Sequence, residues 1–71
     1  MSKRPAKHSL TLRGHRTSVS LEQEFWDAFC EIAAARGMPL NKLATAIDID
    51  RGDEMGLASA IRLFVLAHYR H

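Results

Sequence analysis

From Ser9 to Leu21 the chain alternates apolar and polar residues with a period of two, the pattern of a strand that buries one face. Leu10 and Leu12 alternate with Ser9, Thr11 and Arg13. After Gly14 the alternation resumes with changed parity, Thr17, Val19 and Leu21 against Arg16, Ser18 and Ser20. A glycine where parity changes marks a turn, a bulge or the end of a strand. The second run is rich in β-branched residues and predicts a strand over residues 15–21. Residues 9–13 fit either an extra strand or an arm that extends the first. With one convincing strand in the chain, the backbone partner that any strand requires is expected from a second copy.

The rest of the chain changes to helical spacing. Phe25, Phe29, Ile32 and Ala33 share one face of a helix predicted over 22–36, with Trp26 and Cys30 broadening it. Glu22, Glu24 and Asp27 complement the dipole at its start, and Gly37 supplies its stop. Ser20 with Gln23 spells a capping box, in competition with Ser20 as the last outward strand residue. Pro39 opens a short helix over 39–49, with Leu40, Leu43, Ala44 and Ile47 in register. An acidic, glycine-containing segment from Asp48 to Gly56 reads as a loop. A third helix, over 57–70, carries Leu57, Ile61, Phe64, Val65 and His68 on one side. Leu63, Leu66 and Ala67 extend its apolar surface past half the circumference.

Composition turns this pattern into an oligomer. The 71 residues allow one domain, and a chain this short covers little core unaided. Its single cysteine cannot form an internal disulfide, and no tight metal-ligand spacing joins its four histidines. A second copy of the chain is the remaining source of stability, and it would also cover the third helix. No apolar run approaches the ~20 residues that span a bilayer, so no membrane association is expected. The basic start leads into no hydrophobic region, which is unlike a secretory signal, and a free Cys30 suits a reducing, cytoplasmic setting.

Charge is divided along the chain. Lys3, Arg4, Lys7, Arg13 and Arg16 give the first sixteen residues +5 with no acid, and the remainder is −3, for a total of +2. A basic end on an acidic body attracts polyanions, and dimerisation would double it on one face. Residues 1–8, small and basic with Pro5, are expected to form a flexible arm, leaving 9–71 as the single domain. No nucleophile triad, paired carboxylate site or glycine-rich phosphate loop is present, so the chain is read as neither an enzyme nor a cofactor or metal protein. Cys30 falls on an apolar helix face, where a thiol is inert. Asp48, Asp50, Asp53 and Glu54 lack the ligand order and terminal bidentate glutamate of a calcium loop.

Arg16-Thr17-Ser18-Val19-Ser20-Leu21 followed by a helix resembles the ribbon-helix-helix family of DNA-binding proteins. The Leu57-Ala58-Ser59-Ala60-Ile61-Arg62 run, with Val65 and Tyr69, is similar to the start of that family's second helix. Gly14-His15-Arg16-Thr17-Ser18, the Phe25-Trp26 pair and Ala60-Ile61-Arg62 look typical of a small bacterial branch. Residues 38–56 read as an insertion that contains its own short helix. It either packs on the dimer or meets a protein partner. The helix over 57–70 is the better match to the family's second helix, and Leu40-Asn41-Lys42-Leu43 is the alternative start.

The resemblance implies a mainly α fold with one β-strand per chain, paired across a dimer into an intermolecular two-stranded antiparallel ribbon. It implies a homodimeric, sequence-specific transcriptional regulator that lays this ribbon in the DNA major groove. By parity the residues facing the bases would be Arg16, Ser18 and Ser20, whose side chains suit guanine and other base edges. The amides of Leu57, Ala58 and Ser59 at a helix start would hold phosphate, with Lys3, Arg4, Lys7 and Arg13 adding sequence-independent contacts. The alternative is a dimeric protein-interaction or antitoxin-like module without specific DNA readout.

Overall fold

A computed structural model describes residues 4–70. Two strands, β1 (Ala6–Leu12) and β2 (His15–Leu21), precede three helices, α1 (Gln23–Ala35), α2 (Leu40–Asp50) and α3 (Leu57–Tyr69). The strands pair antiparallel, with Leu12 opposite His15, Ser9 opposite Ser18 and Ala6 opposite Leu21. Arg13 and Gly14 join them with φ of 52° and 80°. Positive φ at both central positions is the signature of a type I′ turn, whose twist matches that of a hairpin. The parity change at Gly14 is therefore a tight turn.

This hairpin corrects the expectation of one strand per chain. The neighbour of β2 is β1 of the same chain rather than a strand from a second copy. It also shortens the arm expected over residues 1–8, because Ala6, Lys7 and His8 lie in β1. The physical reason is side-chain chemistry at the inward positions. His8 takes the place of an apolar residue, so the alternation that continues through Leu10 and Leu12 was invisible upstream. The His8 ring stacks on Trp26 of α1, with centroids 4.1 Å apart and planes within 7°. Its Nε2 is buried without a hydrogen-bond partner.

One face of the hairpin lies on the helices. Leu10, Leu12, Val19 and Leu21 pack with Phe29, Ile32 and Ala33 of α1, Leu43, Ala44 and Ile47 of α2, and Ala60, Ile61 and Val65 of α3. The result is two layers, sheet on helices, with one continuous core. Trp26, Phe25 and Phe64 are half-buried against this core rather than inside it. Trp26 and Phe64 both contact Phe29, and the Arg36 guanidinium lies 5.0 Å from the centroid of the Phe64 ring. An aromatic row thus runs from β1 through α1 to α3.

The helix ends have separate causes. Ser20 does not cap α1. It stays in β2, opposite Lys7, and Gln23 donates to Asp27 Oδ1 at 2.8 Å. Glu22 occupies the N-cap position without a side-chain capping bond. At the other end the amides of Gly37 and Met38 donate to the carbonyls of Ala34 and Ala33, a Schellman motif that uses the positive φ of Gly37. Beyond α2, Arg51 donates to Asp48 and to the carbonyls of Gly52 and Met55, closing the loop before α3.

The turn sets the register, so its two residues should respond oppositely to substitution. A Cβ at Gly14 meets open space, leaving backbone strain as the only penalty. Gly14→Val is expected to destabilise the chain by more than about 1 kcal/mol. Arg13→Asn, which relieves a left-handed arginine, should stabilise it by about 0.5–1 kcal/mol. Urea denaturation reads both, and identical midpoints in all three proteins would mean that the turn does not hold the register.

Candidate nucleic-acid interface

The hairpin turns its second face to solvent. Lys7, Ser9 and Thr11 of β1 and Arg16, Ser18 and Ser20 of β2 are all exposed, forming the cross-strand pairs Lys7–Ser20, Ser9–Ser18 and Thr11–Arg16. These six side chains carry two positive charges and no negative one. The tip adds Arg13, which is also exposed. Period-two geometry explains the segregation, since every residue between two buried neighbours must point away from the helices.

The edges of the sheet differ. In a two-residue hairpin the residues flanking the turn form a hydrogen-bonded pair. Leu12–His15, Leu10–Thr17, His8–Val19 and Ala6–Leu21 therefore exchange bonds, and the alternate residues direct their backbone groups outward. On the β1 edge, α2 answers: the Thr11 amide donates to Asn41 Oδ1 at 3.0 Å. On the β2 edge, Arg62 of α3 donates to the Ser20 carbonyl at 3.3 Å and to Glu22 Oε1 at 2.9 Å. The Arg62 bond holds the Glu22 carboxyl below the usual carboxylate range. No protein hydrogen bond is described to the outward backbone groups of Arg16 and Ser18.

Arg62 shares its helix face with two exposed apolar residues. Leu66 and Tyr69 follow it at i+4 and i+7 and are 47% and 58% exposed. A stripe of uncovered apolar surface therefore adjoins the β2 edge. One chain leaves this part of α3 uncovered, as its apolar circumference led one to expect.

Arg13 and the start of α3 meet across an open cleft of about 440 Å³, lined by Leu12, Arg13, His15, Thr17, Asp48, Arg51 and Leu57. Leu57, Ala58 and Ser59 are the first three residues of α3, whose amides have no acceptor within the helix. Gly56 precedes them in extended conformation. Asp48 also enters this cleft, 2.7 Å from Arg51 and 3.6 Å from Arg13. Asp53 and Glu54 are exposed in the preceding loop. Arg13 and Leu57 at the start of α3 thus line one cleft, whereas Lys7 lies toward the far end of the hairpin. Arg4 is exposed just before β1, and Lys3 lies outside the described residues.

Arg62 is the contributor that parity could not reveal. The sequence pointed to its run only through family likeness, and its contacts to Ser20 and Glu22 span 42 and 40 residues. Cys30 is half-buried, and burial, with Asp27 and Glu31 nearby, pushes its thiol up and away from nucleophilic character. Among the described residues no three His, Cys, Asp or Glu side chains gather as a metal site. No helix among them is long and apolar enough to cross a membrane.

A family model described as a ribbon-helix-helix domain matches residues 5–69. The chain belongs to the ribbon-helix-helix family. The match begins before β1 and ends at the last residue of α3, so the hairpin and all three helices of this ribbon-helix-helix chain lie within the family's domain. The family is a non-enzymatic DNA-binding and regulatory fold that typically dimerises. Comparison with curated proteins and with solved structures gives no match.

The Glu22–Arg62 pair links the hairpin to α3 in a pH-dependent way. Its carboxyl is depressed in the folded chain, so the stabilisation is complete above the ordinary glutamate value of about 4.3 and is lost as pH falls through the folded value. The stability gap between the parent and Glu22→Gln should therefore narrow on acidification. Thermal melts of both between about pH 3 and pH 7 measure it, and a constant gap would count against the linkage.

Proposed function

We propose that the chain is a homodimeric, sequence-specific DNA-binding protein, a small transcriptional regulator that reads the major groove with β2. The observation that carries this reading is the outer face of the hairpin. It is polar, cationic and uncluttered, and on its opposite face Leu10, Leu12, Val19 and Leu21 are committed to the core. Arg16 has the fork geometry for guanine O6 and N7, and Ser18 and Ser20 have short hydroxyl groups able to donate or accept at base edges. Arg13, exposed at the tip of the hairpin, adds a further cation beside this face.

The dimer follows from the β2 edge. Unpaired strand backbone is a template for a second strand, and β2 is the strand that precedes α1 as the family's ribbon does. Two β2 strands related by a two-fold through Ser18 would join through the outward groups of Arg16, Ser18 and Ser20, with the second lone pair of the Ser20 carbonyl left for the partner strand beside Arg62, and Leu66 and Tyr69 would meet the second copy alongside. Two-fold pairing repeats the reading residues in opposite orientation, so the preferred site is a pseudo-palindrome. Phosphate contacts are assigned to Arg13, which shares a cleft with Leu57, to the amides of Leu57, Ala58 and Ser59, and to the basic residues Lys3, Arg4 and Lys7. In that complex a phosphate takes over from Asp48 as the partner of Arg13.

A second reading has its own observation. Ile49 and Leu63 are 64% and 52% exposed and flank an open groove between α2 and α3, lined also by Ile47 and Phe64. A protein partner contacting residues 38–56 would use that groove, as a dimeric interaction module without specific DNA readout would.

Selection from a random duplex pool, followed by fluorescence anisotropy across salt concentrations, separates the two. The parent should enrich a two-fold motif. Arg16→Ala and Ser18→Ala should lose it, with each arginine–guanine contact worth about 1–3 kcal/mol of discrimination. Weak binding without a motif, unchanged in both variants, would favour the interaction module.

A further inference from the structure

The intrachain hairpin has a consequence for how a dimer sits on DNA. We infer that β1 serves as a phosphate-contacting rail, with Lys7, Ser9 and Thr11 gripping the DNA backbone while β2 alone occupies the groove floor. This inference rests on the DNA-binding dimer described above and assigns a task to a strand that the dimeric ribbon leaves unused.

The argument is one of width. Pairing β2 with β2 of a second copy gives a four-stranded sheet in the order β1, β2, β2, β1. β2 is taken as the central strand because it is the one that precedes α1, as the family's ribbon does, and Asn41 of α2 holds the outer edge of β1 at Thr11. Neighbouring strands lie about 4.8 Å apart, which places the two central strands about 2.4 Å from the axis and the outer two about 7 Å from it. The major groove is about 12 Å wide, so its walls stand about 6 Å from the same axis. The central pair fits between the walls, and the outer pair lies over them, where the phosphates are.

The residue types agree with these positions. The two-fold that overlaps all seven residues of β2 passes through Ser18, its middle residue. Each row across the outer face then reads in one of two ways. The central row is Ser9, Ser18, Ser18, Ser9, with short side chains throughout. The flanking rows each hold Lys7 and Thr11 at their two outer ends, with Ser20 and Arg16 between them. The long fork of Arg16 thus falls over the bases. The flexible ammonium of Lys7, a point charge suited to phosphate, falls over the backbone. Ser9 and Thr11 hydroxyl groups donate to phosphate oxygens as well. Sequence information and sequence-blind grip are then divided between the two strands of one hairpin.

The test compares Lys7→Gln and Thr11→Ala with the parent and Arg16→Ala, on the parent's selected duplex and on a random duplex, across a salt series. Lys7→Gln should weaken binding by the same factor on both duplexes. It should also flatten the dependence of log K on log salt by about 1.8, for two lysines per dimer at about 0.9 each. Repeating the selection with Lys7→Gln and with Thr11→Ala should return the parent's motif unaltered. A motif changed at any base position by either variant would put β1 in the groove and overturn the inference. So would an unchanged affinity and salt slope in Lys7→Gln, which would put β1 out of reach of DNA. If the parent itself selects no motif, the DNA-reading dimer fails, and the rail fails with it. A motif lost in Arg16→Ala together with an inert Lys7→Gln removes the rail alone.

Discussion

The structure depends on the phase of the hairpin. Strand side chains alternate with a period of two, so a slip of one residue in β2 would bring Arg16, Ser18 and Ser20 against the helices and expel Val19 and Leu21. Two devices hold the phase. The turn at Arg13 and Gly14 admits only a two-residue connection, and the edges are tied down by Asn41 on one side and Arg62 on the other. Both edge contacts engage backbone groups that the turn geometry directs outward. Local and long-range constraints therefore select the same register, which is the agreement between levels that gives a chain a single fold.

Much of this was readable before the structure, and the reasons are local. The faces of α1 and α2 follow from apolar spacing, and the residues buried there, Phe29, Ile32, Ala33, Leu43, Ala44 and Ile47, are the ones that spacing marked. The parity of β2 gave its exposed and buried sides. What escaped was the start of β1. Its inward positions are Ala6 and His8, and neither signals burial. The contact that fixes His8 is a ring stack with Trp26, which lies eighteen positions further along the chain and on another element. The Arg62 contacts escaped for the same reason, since pairing across forty residues leaves no trace in periodicity.

The expectation that β2 needed a partner was sound in its physics, and β1 of the same chain supplies one such partner. The unpaired strand is satisfied on one side by its own chain, and the requirement moves to the other side. There the sequence and the fold agree again. An α3 too apolar for a single chain leaves Leu66 and Tyr69 uncovered on the side where Arg62 meets the β2 edge. A small domain with a polar outer sheet face and a core shared among three helices keeps its uncovered apolar surface in two places, the Leu66–Tyr69 stripe and the Ile49–Leu63 groove.

The stack of His8 on Trp26 gives the molecule a built-in optical reporter. Trp26 is the chain's only tryptophan, and its ring is sandwiched between β1 and the core edge at Phe29. Lifting β1 from α1 would hydrate the indole while leaving most of the helical content in place. Its emission therefore reports the docking of the first strand on α1 together with the packing around Phe29, and circular dichroism follows the helices. The two signals together resolve whether the hairpin and the helical layer come apart as one unit or in sequence, without any label added to the chain.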